Sequence, residues 1–361
     1  MGSPASHLLR LLIGLWIAWT GLAAAEPPPA VILPAERITV LRQRIAAKSE
    51  PTATAWTVVQ TSATAALTFQ PQVPAVWSVP GFYQKKEAHL AAKKGLQESA
   101  DAAYALALAW RMTGEERFAQ AAARIILAWA ALQELKTGED SSLAFSYHFP
   151  PLIFAADLLR GSPAWNDAAE RTLCTFLREK AQPMNTMKSG NNWGNWGLVL
   201  FSAIAAFTGD QAGLDQAQVR WKQFIDSQIA ADGHLHEEVG RNGGRSGMWY
   251  SHFSLFPQTI AAEILRVQGR DCFAYAGKDG RSLKLAYERL APWSLRPETF
   301  PYFKGDAKDL HGSDYVSYFE ILLPRWPDAD ARAVVLANRP LTARNGLPYL
   351  TFTHGEPFAG R

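Results

Sequence analysis

The chain has 361 residues, 48% hydrophobic and 19% charged, with a formal net charge of +3. That length supplies a sizeable core, and so slight a basic excess, with no Lys or Arg run longer than Lys85-Lys86 and Lys93-Lys94, excludes a nucleic-acid module. Only Cys174 and Cys272 occur, which excludes a disulfide framework and leaves their pairing open.

At the start of the chain Arg10 precedes the apolar run Leu11–Trp19, and Ala23-Ala24-Ala25 offers a small-residue cleavage site before Glu26. This pattern predicts a signal peptide over residues 1–25 and a periplasmic or secreted protein. An uncleaved anchor would leave the same body outside the cytoplasm. No later window is apolar enough to compete, so no stable membrane insertion of the mature chain is expected. Residues 26–361 are expected to form a single domain. Cleavage removes one cation, Arg10, and leaves a net charge of +2 (+3 less 1).

Along the mature chain, Trp56-Thr-Val-Val59 suggests a short extended piece, and the proline-rich stretch Pro71–Pro80 a connection. The loop that follows carries Trp77, Phe82 and Tyr83 beside Lys85 and Lys86. Such a loop can cover a cleft and bind anionic sugar units, or only close an edge of the fold. Ala102–Thr113 reads as an apolar helix ended by Gly114, and Phe118, Ala122, Ile125 and Trp129 then recur at helical spacing. Ser146-Tyr147-His148 reads as the beginning of an inner helix facing a cavity, and Ala155–Gly161 is a looser echo of the helix-Gly pattern.

The segment Lys188-Ser-Gly-Asn-Asn-Trp-Gly-Asn-Trp-Gly197 stands apart. Asparagine and glycine are poor in helix interiors, so a helix start is expected here, with amides turned to an open cavity and Trp193 and Trp196 on neighbouring faces of the first turn. A capped loop with both indoles buried is the plainer alternative. The helix pattern recurs up to Phe207-Thr-Gly-Asp210, continues with Leu214, Ala217, Trp221 and Phe224, and echoes at Ala262–Gly269. Prolines at 292–301 and 324–327 mark further connections, and Thr351-Phe-Thr353 a second extended piece. Repeated hairpins of one apolar and one amphipathic helix predict an all-α fold, an incomplete (α/α) toroid with few short strands. No Cys or His cluster has metal-ligand spacing and no phosphate or dinucleotide fingerprint occurs, so no metal or cofactor is expected. Thirteen tryptophans fit either sugar stacking or a large helical core.

Asn191-Asn192-Trp193-Gly-Asn-Trp196 resembles the Asn-Asn-His-x-x-Trp motif of the alginate lyase family. A second block, Asp232-Gly-His-Leu-His-Glu-Glu238-Val-Gly-Arg241 followed by Trp249-Tyr250-Ser-His252, is similar to that family's Asp-Gly, Glu-Leu-x-Arg and Tyr run. The resemblance spans roughly residues 80–270. It implies that Asn192 and Arg241 bind a uronate carboxylate, that Tyr250 transfers the proton, and that Asn191 and Trp196 line the sugar subsite. The implied reaction is β-elimination from a 1,4-linked uronic-acid polymer, so the expected partner is an anionic polysaccharide. Removing the C5 proton beside a carboxylate requires that carboxylate to be neutralised as enolate charge builds. Arg241 is also expected to lower the phenol pKa of Tyr250.

Trp193 stands where the family motif has histidine, which leaves open whether His148, His252 or His311 takes over; His148 is placed first. The glycine-rich stretch Gly240–Gly247 is about three residues longer than the family spacing, so Arg245 competes with Arg241; Glu238, which matches the pattern, favours Arg241 and is expected to orient it. Two alternatives remain. A glycoside hydrolase on the same toroid would need two carboxylates, for which Asp101, Asp157, Glu237 and Glu238 are available. A non-catalytic polysaccharide-binding protein would explain Trp193.

Overall fold

A computed structural model describes residues 30–310 and 315–358. The expected signal peptide and His311 lie outside the described residues. The elements are α1 (Ala35–Ala46), α2 (Thr52–Ala66), β1 (Val76–Trp77), α3 (Lys86–Thr113), α4 (Glu116–Ala130), β2 (Glu134–Leu135), α5 (Ser141–His148), α6 (Pro150–Leu159), α7 (Asp167–Phe176), α8 (Asn192–Thr208), α9 (Gln211–Gln228), α10 (Gly247–Val267), α11 (Leu283–Leu295), α12 (Phe319–Leu322), α13 (Ala329–Asn338) and α14 (Leu350–His354).

The helices form two layers. Nearly every residue of α8 and α10 is buried, and the second half of α3 is buried from Ala102 to Trp110. α9 instead buries one stripe, Leu214, Ala217, Trp221, Phe224 and Ile225, and leaves its other face in water. The apolar helices therefore line the interior and the amphipathic ones wrap it, with α3 packed on α4 and α6, and α8 on α9 and α10. Helices α3 and α8 end at Gly114 and Gly209, whose φ of 75° and 71° is the left-handed conformation that closes a helix.

Both expected extended pieces are helical, Trp56–Val59 within α2 and Thr351–Thr353 within α14. Val59, Thr351 and Thr353 are buried while Thr57 and Val58 face outward on α2, so the helical context outweighs strand propensity in both pieces. The strands that do form are β1 and β2, paired in parallel. They anchor the aromatic loop: Trp77 Nε1 donates to Ser141 O at 3.0 Å, and the amides of Gly81 and Phe82 donate to Glu139 and Asp140. Trp77 is thus fully buried and holds the loop's base, whereas Tyr83 stands at its tip, 77% exposed. Cys174 and Cys272 are both free, so they do not pair. Among the described residues no helix is long and apolar enough to cross a membrane.

Candidate active site

Asn191 caps α8: its side chain accepts from the amide of Trp193 at 3.1 Å. The turn before the helix folds back so tightly that a Cβ on Gly194 would lie 2.1 Å from the carbonyl oxygen of Ser189, which explains a glycine inside the first turn. With Asn191 capping, Asn192 is free to turn inward. Its Nδ2 donates to Glu238 Oε1 at 3.0 Å. The same carboxylate accepts from Ser254 Oγ at 2.9 Å and, through Oε2, from Arg241 Nε at 3.1 Å. Glu238 is 2% exposed, so it acts as a buried clamp that fixes an amide and a guanidinium side by side.

Asn191, Asn192, Trp193, Arg241 and Tyr250 line one cleft of about 380 Å³. Its outer wall is the aromatic loop, with Phe82 and Tyr83, and the Tyr83 hydroxyl is hydrogen-bonded to that of Tyr250. Trp249 and Phe253 stack at 4.9 Å on the inner wall. The α3 side contributes His89 and Lys93, with Asp140 and Tyr147 beside them. The ammonium of Lys93 lies 5.3 Å from the Tyr147 ring centroid, and burial, with Arg344 nearby, lowers its pKa.

The Arg241 guanidinium lies 5.1 Å from the centre of the Tyr250 ring and pulls the phenol pKa down, as expected. Burial and the bond to Tyr83 outweigh it, and the Tyr250 pKa is raised above 10.0. With the loop in this position Tyr250 is a protonated hydroxyl, not a ready base.

Four expected site residues lie away from the cleft surface. Trp196 is fully buried against Phe253, Tyr147 and Phe256, with ring centroids 5.3 to 5.8 Å away, so it braces α8 on α10 beneath the cavity. His252 follows Tyr250 by two residues, which turns it to the opposite side of α10. There its Nδ1 meets Tyr318 Oη at 3.0 Å and its Nε2 meets Ser294 Oγ at 2.9 Å, and burial lowers its pKa to about 3. His148 is 1% exposed with neither ring nitrogen hydrogen-bonded, its ring 4.4 Å from that of Tyr147, which faces the cleft in its place. Arg245 is exposed and donates to Asp309 O at 2.9 Å instead of lining the cleft.

Sequence reasoning passed over His89, Lys93, Asp140 and Tyr147. The i, i+4 spacing of His89 and Lys93 puts them on one face of α3, but Asp140 joins them only through the anchored loop. Of the hydrolase carboxylates, Asp101 bonds Tyr349 and Asp157 bonds Arg160 and the Val31 amide, all away from the cleft. No group of acidic, Cys and His side chains among the described residues has a metal-binding arrangement.

A profile of the alginate lyase family matches residues 46–300, well over half of the chain and both motif blocks. The chain belongs to the alginate lyase family. Its fold is also that of solved alginate lyases. A structure of an alginate lyase from Bacteroides ovatus superposes with a TM-score of 0.71 at 18% identity, over 91% of this chain and 100% of that one. Alginate lyase A1-III from Sphingomonas species A1 gives 0.66 at 17% identity, over 85% and 95%. A variant of alginate lyase A1-III complexed with a tetrasaccharide gives 0.71 at 16% identity, over 89% and 94%. No curated protein matches the chain in sequence.

Proposed function

We propose that this protein is a polysaccharide lyase that cleaves a 1,4-linked uronic-acid polymer, such as alginate or glucuronan, by β-elimination, and that it does so outside the cytoplasm. The observation that carries the reading is the clamp: one buried carboxylate, Glu238, holds Asn192 and Arg241 together on the wall that also bears Tyr250. A substrate carboxylate bridging the amide and the guanidinium would sit near the N-terminus of α8, whose dipole favours an anion. Neutralised there, the carboxylate lets charge from C5 spread onto its oxygens as the C5 proton leaves. The Tyr250 hydroxyl takes part in proton transfer, and Tyr83 covers it from solvent. Trp249, Phe253 and Trp193 offer apolar faces to sugar rings, and Lys93 adds a cation for a neighbouring uronate.

Carboxyl-reduced alginate is the sharpest substrate control. It keeps the linkage and ring shapes but lacks the anion, so the protein should cut alginate or another polyuronate and leave the reduced polymer intact. Equal cleavage of both would remove the basis of the reading. Trp193 favours a second reading, a protein that binds such polymers without cutting them; it predicts binding to polyuronates with no new chain ends.

A further inference from the structure

The cleft holds a histidine to which the lyase reading gives no task. His89 lies on α3, lines the cleft and is 4% exposed. Its Nδ1 is 2.9 Å from the carbonyl oxygen of Pro80 and 3.3 Å from Asp140 Oδ2. A carbonyl oxygen only accepts, so Nδ1 carries the proton, and in the neutral ring the lone pair belongs to Nε2. The polar contacts of the His89 ring among the described residues, to Pro80 and Asp140, are both made through Nδ1 and not Nε2. A carbonyl and a carboxylate on Nδ1 fix one tautomer and leave the Nε2 lone pair to take a proton.

Two other features of the cleft call for such a group. Trp193 occupies the motif position of the family's histidine, and an indole neither takes nor gives a proton in neutral water. Tyr250, half-buried and bonded to Tyr83, is held in its protonated form. Elimination needs one group that removes the C5 proton and one that delivers a proton to O4. A protonated phenol can deliver.

Resting on the lyase reading, we propose that His89 is the general base of this site and Tyr250 its general acid. Nε2 takes the C5 proton; the electron pair of that bond forms the C4–C5 double bond; the C4–O4 bond breaks; and the phenolic proton goes to O4. The imidazolium then returns its proton to the phenolate through water. No oxidant, metal or net water is consumed. The charged and titratable groups that face His89 are Asp140 and Lys93, with His148 behind Tyr147.

A purely structural His89 would only pin the aromatic loop to α3 through Pro80 and Asp140. The substitution His89→Asn separates the two roles, because the asparagine amide can still donate toward Pro80 while the Nε2 lone pair is gone. As general base, His89 predicts that H89N keeps its melting temperature, holds KM within a few-fold, and loses kcat by roughly 10²- to 10⁴-fold. The acid limb of the pH–rate profile should vanish with it. In H89A, added imidazole should restore part of kcat in proportion to its unprotonated fraction. An H89N enzyme with kcat within about threefold of wild type and the acid limb in place would overturn the assignment, as would a rise in KM alone; the threshold is about 0.65 kcal/mol in barrier. If the wild-type protein makes no unsaturated uronyl ends from any polyuronate, the lyase reading falls and takes this assignment with it. If the wild type cuts and H89N cuts as fast, only the base assignment falls.

Discussion

Replacing Glu238 by Gln changes one oxygen to an amide nitrogen and removes one charge, at a side chain that accepts from Asn192, Ser254 and Arg241 while 2% exposed. The new amide donor must face one of those donors. Asn192 and Ser254 share Oε1 and are buried, so the retained oxygen will stay with them and the NH2 will confront Arg241 Nε. A charge-assisted hydrogen bond is worth about 1.5–3 kcal/mol. Arg241 is 38% exposed and can turn to water, so a stability loss near the bottom of that range, about 1.5 kcal/mol, is expected. The catalytic loss should be larger in relative terms, because a guanidinium that swings free no longer meets the substrate carboxylate. Losing about 1.4–2.7 kcal/mol of transition-state stabilisation lowers kcat/KM by roughly 10- to 100-fold. Thermal unfolding and initial rates on an accepted polyuronate measure both. An E238Q enzyme with wild-type kcat/KM would refute the clamp.

Further outcomes follow from the same geometry. Arg241→Ala should reduce kcat/KM far more than Arg245→Ala, since Arg241 lines the cleft and Arg245 bonds a carbonyl outside it; steady-state rates of the two variants decide this, and the reverse order would mean the carboxylate is held elsewhere. Tyr83→Phe removes a bond that raises the Tyr250 pKa, so the alkaline limb of the pH–rate profile should move to lower pH, and an unmoved limb would disconnect the two hydroxyls. His252 is buried and the His354 side chain is largely covered, and their folded pKa values are lowered from 6.5 to about 3 and about 4. The unfolded chain then binds protons that the folded one refuses, so stability should be full above pH 6.5 and fall as pH drops below it, toward about 4 and then 3, by a few kcal/mol. Denaturant melts across that window would contradict this by staying flat.

The toroid was legible because its helices carry unambiguous period and stops: apolar runs, one-faced partners, and glycine at the ends of α3 and α8. β-Branched residues misled at Trp56–Val59 and Thr351–Thr353, which lie inside α2 and α14. In the site, Asn192, Glu238, Arg241 and Tyr250 could be read because two motif blocks carry them. Trp196 could not be placed, since a motif tryptophan reads alike whether it lines a groove or braces the floor beneath it. His148 and His252 failed for a related reason: a place on an inner helix, or two residues from Tyr250, says nothing about which side of the helix the ring takes. His89 and Asp140 are about fifty residues apart, and only the β1–β2 anchor brings them together.

The central claim is that this cleft eliminates across the C4–O4 bond of a uronic-acid polymer. Incubating the purified protein with mannuronan, guluronan, glucuronan and mixed acidic polymers while following the ultraviolet absorbance of the unsaturated uronyl end tests it most directly. The account predicts that absorbance rises with at least one of these polymers and is lost in Tyr250→Phe. New reducing ends without that absorbance would mean hydrolysis, and would contradict it.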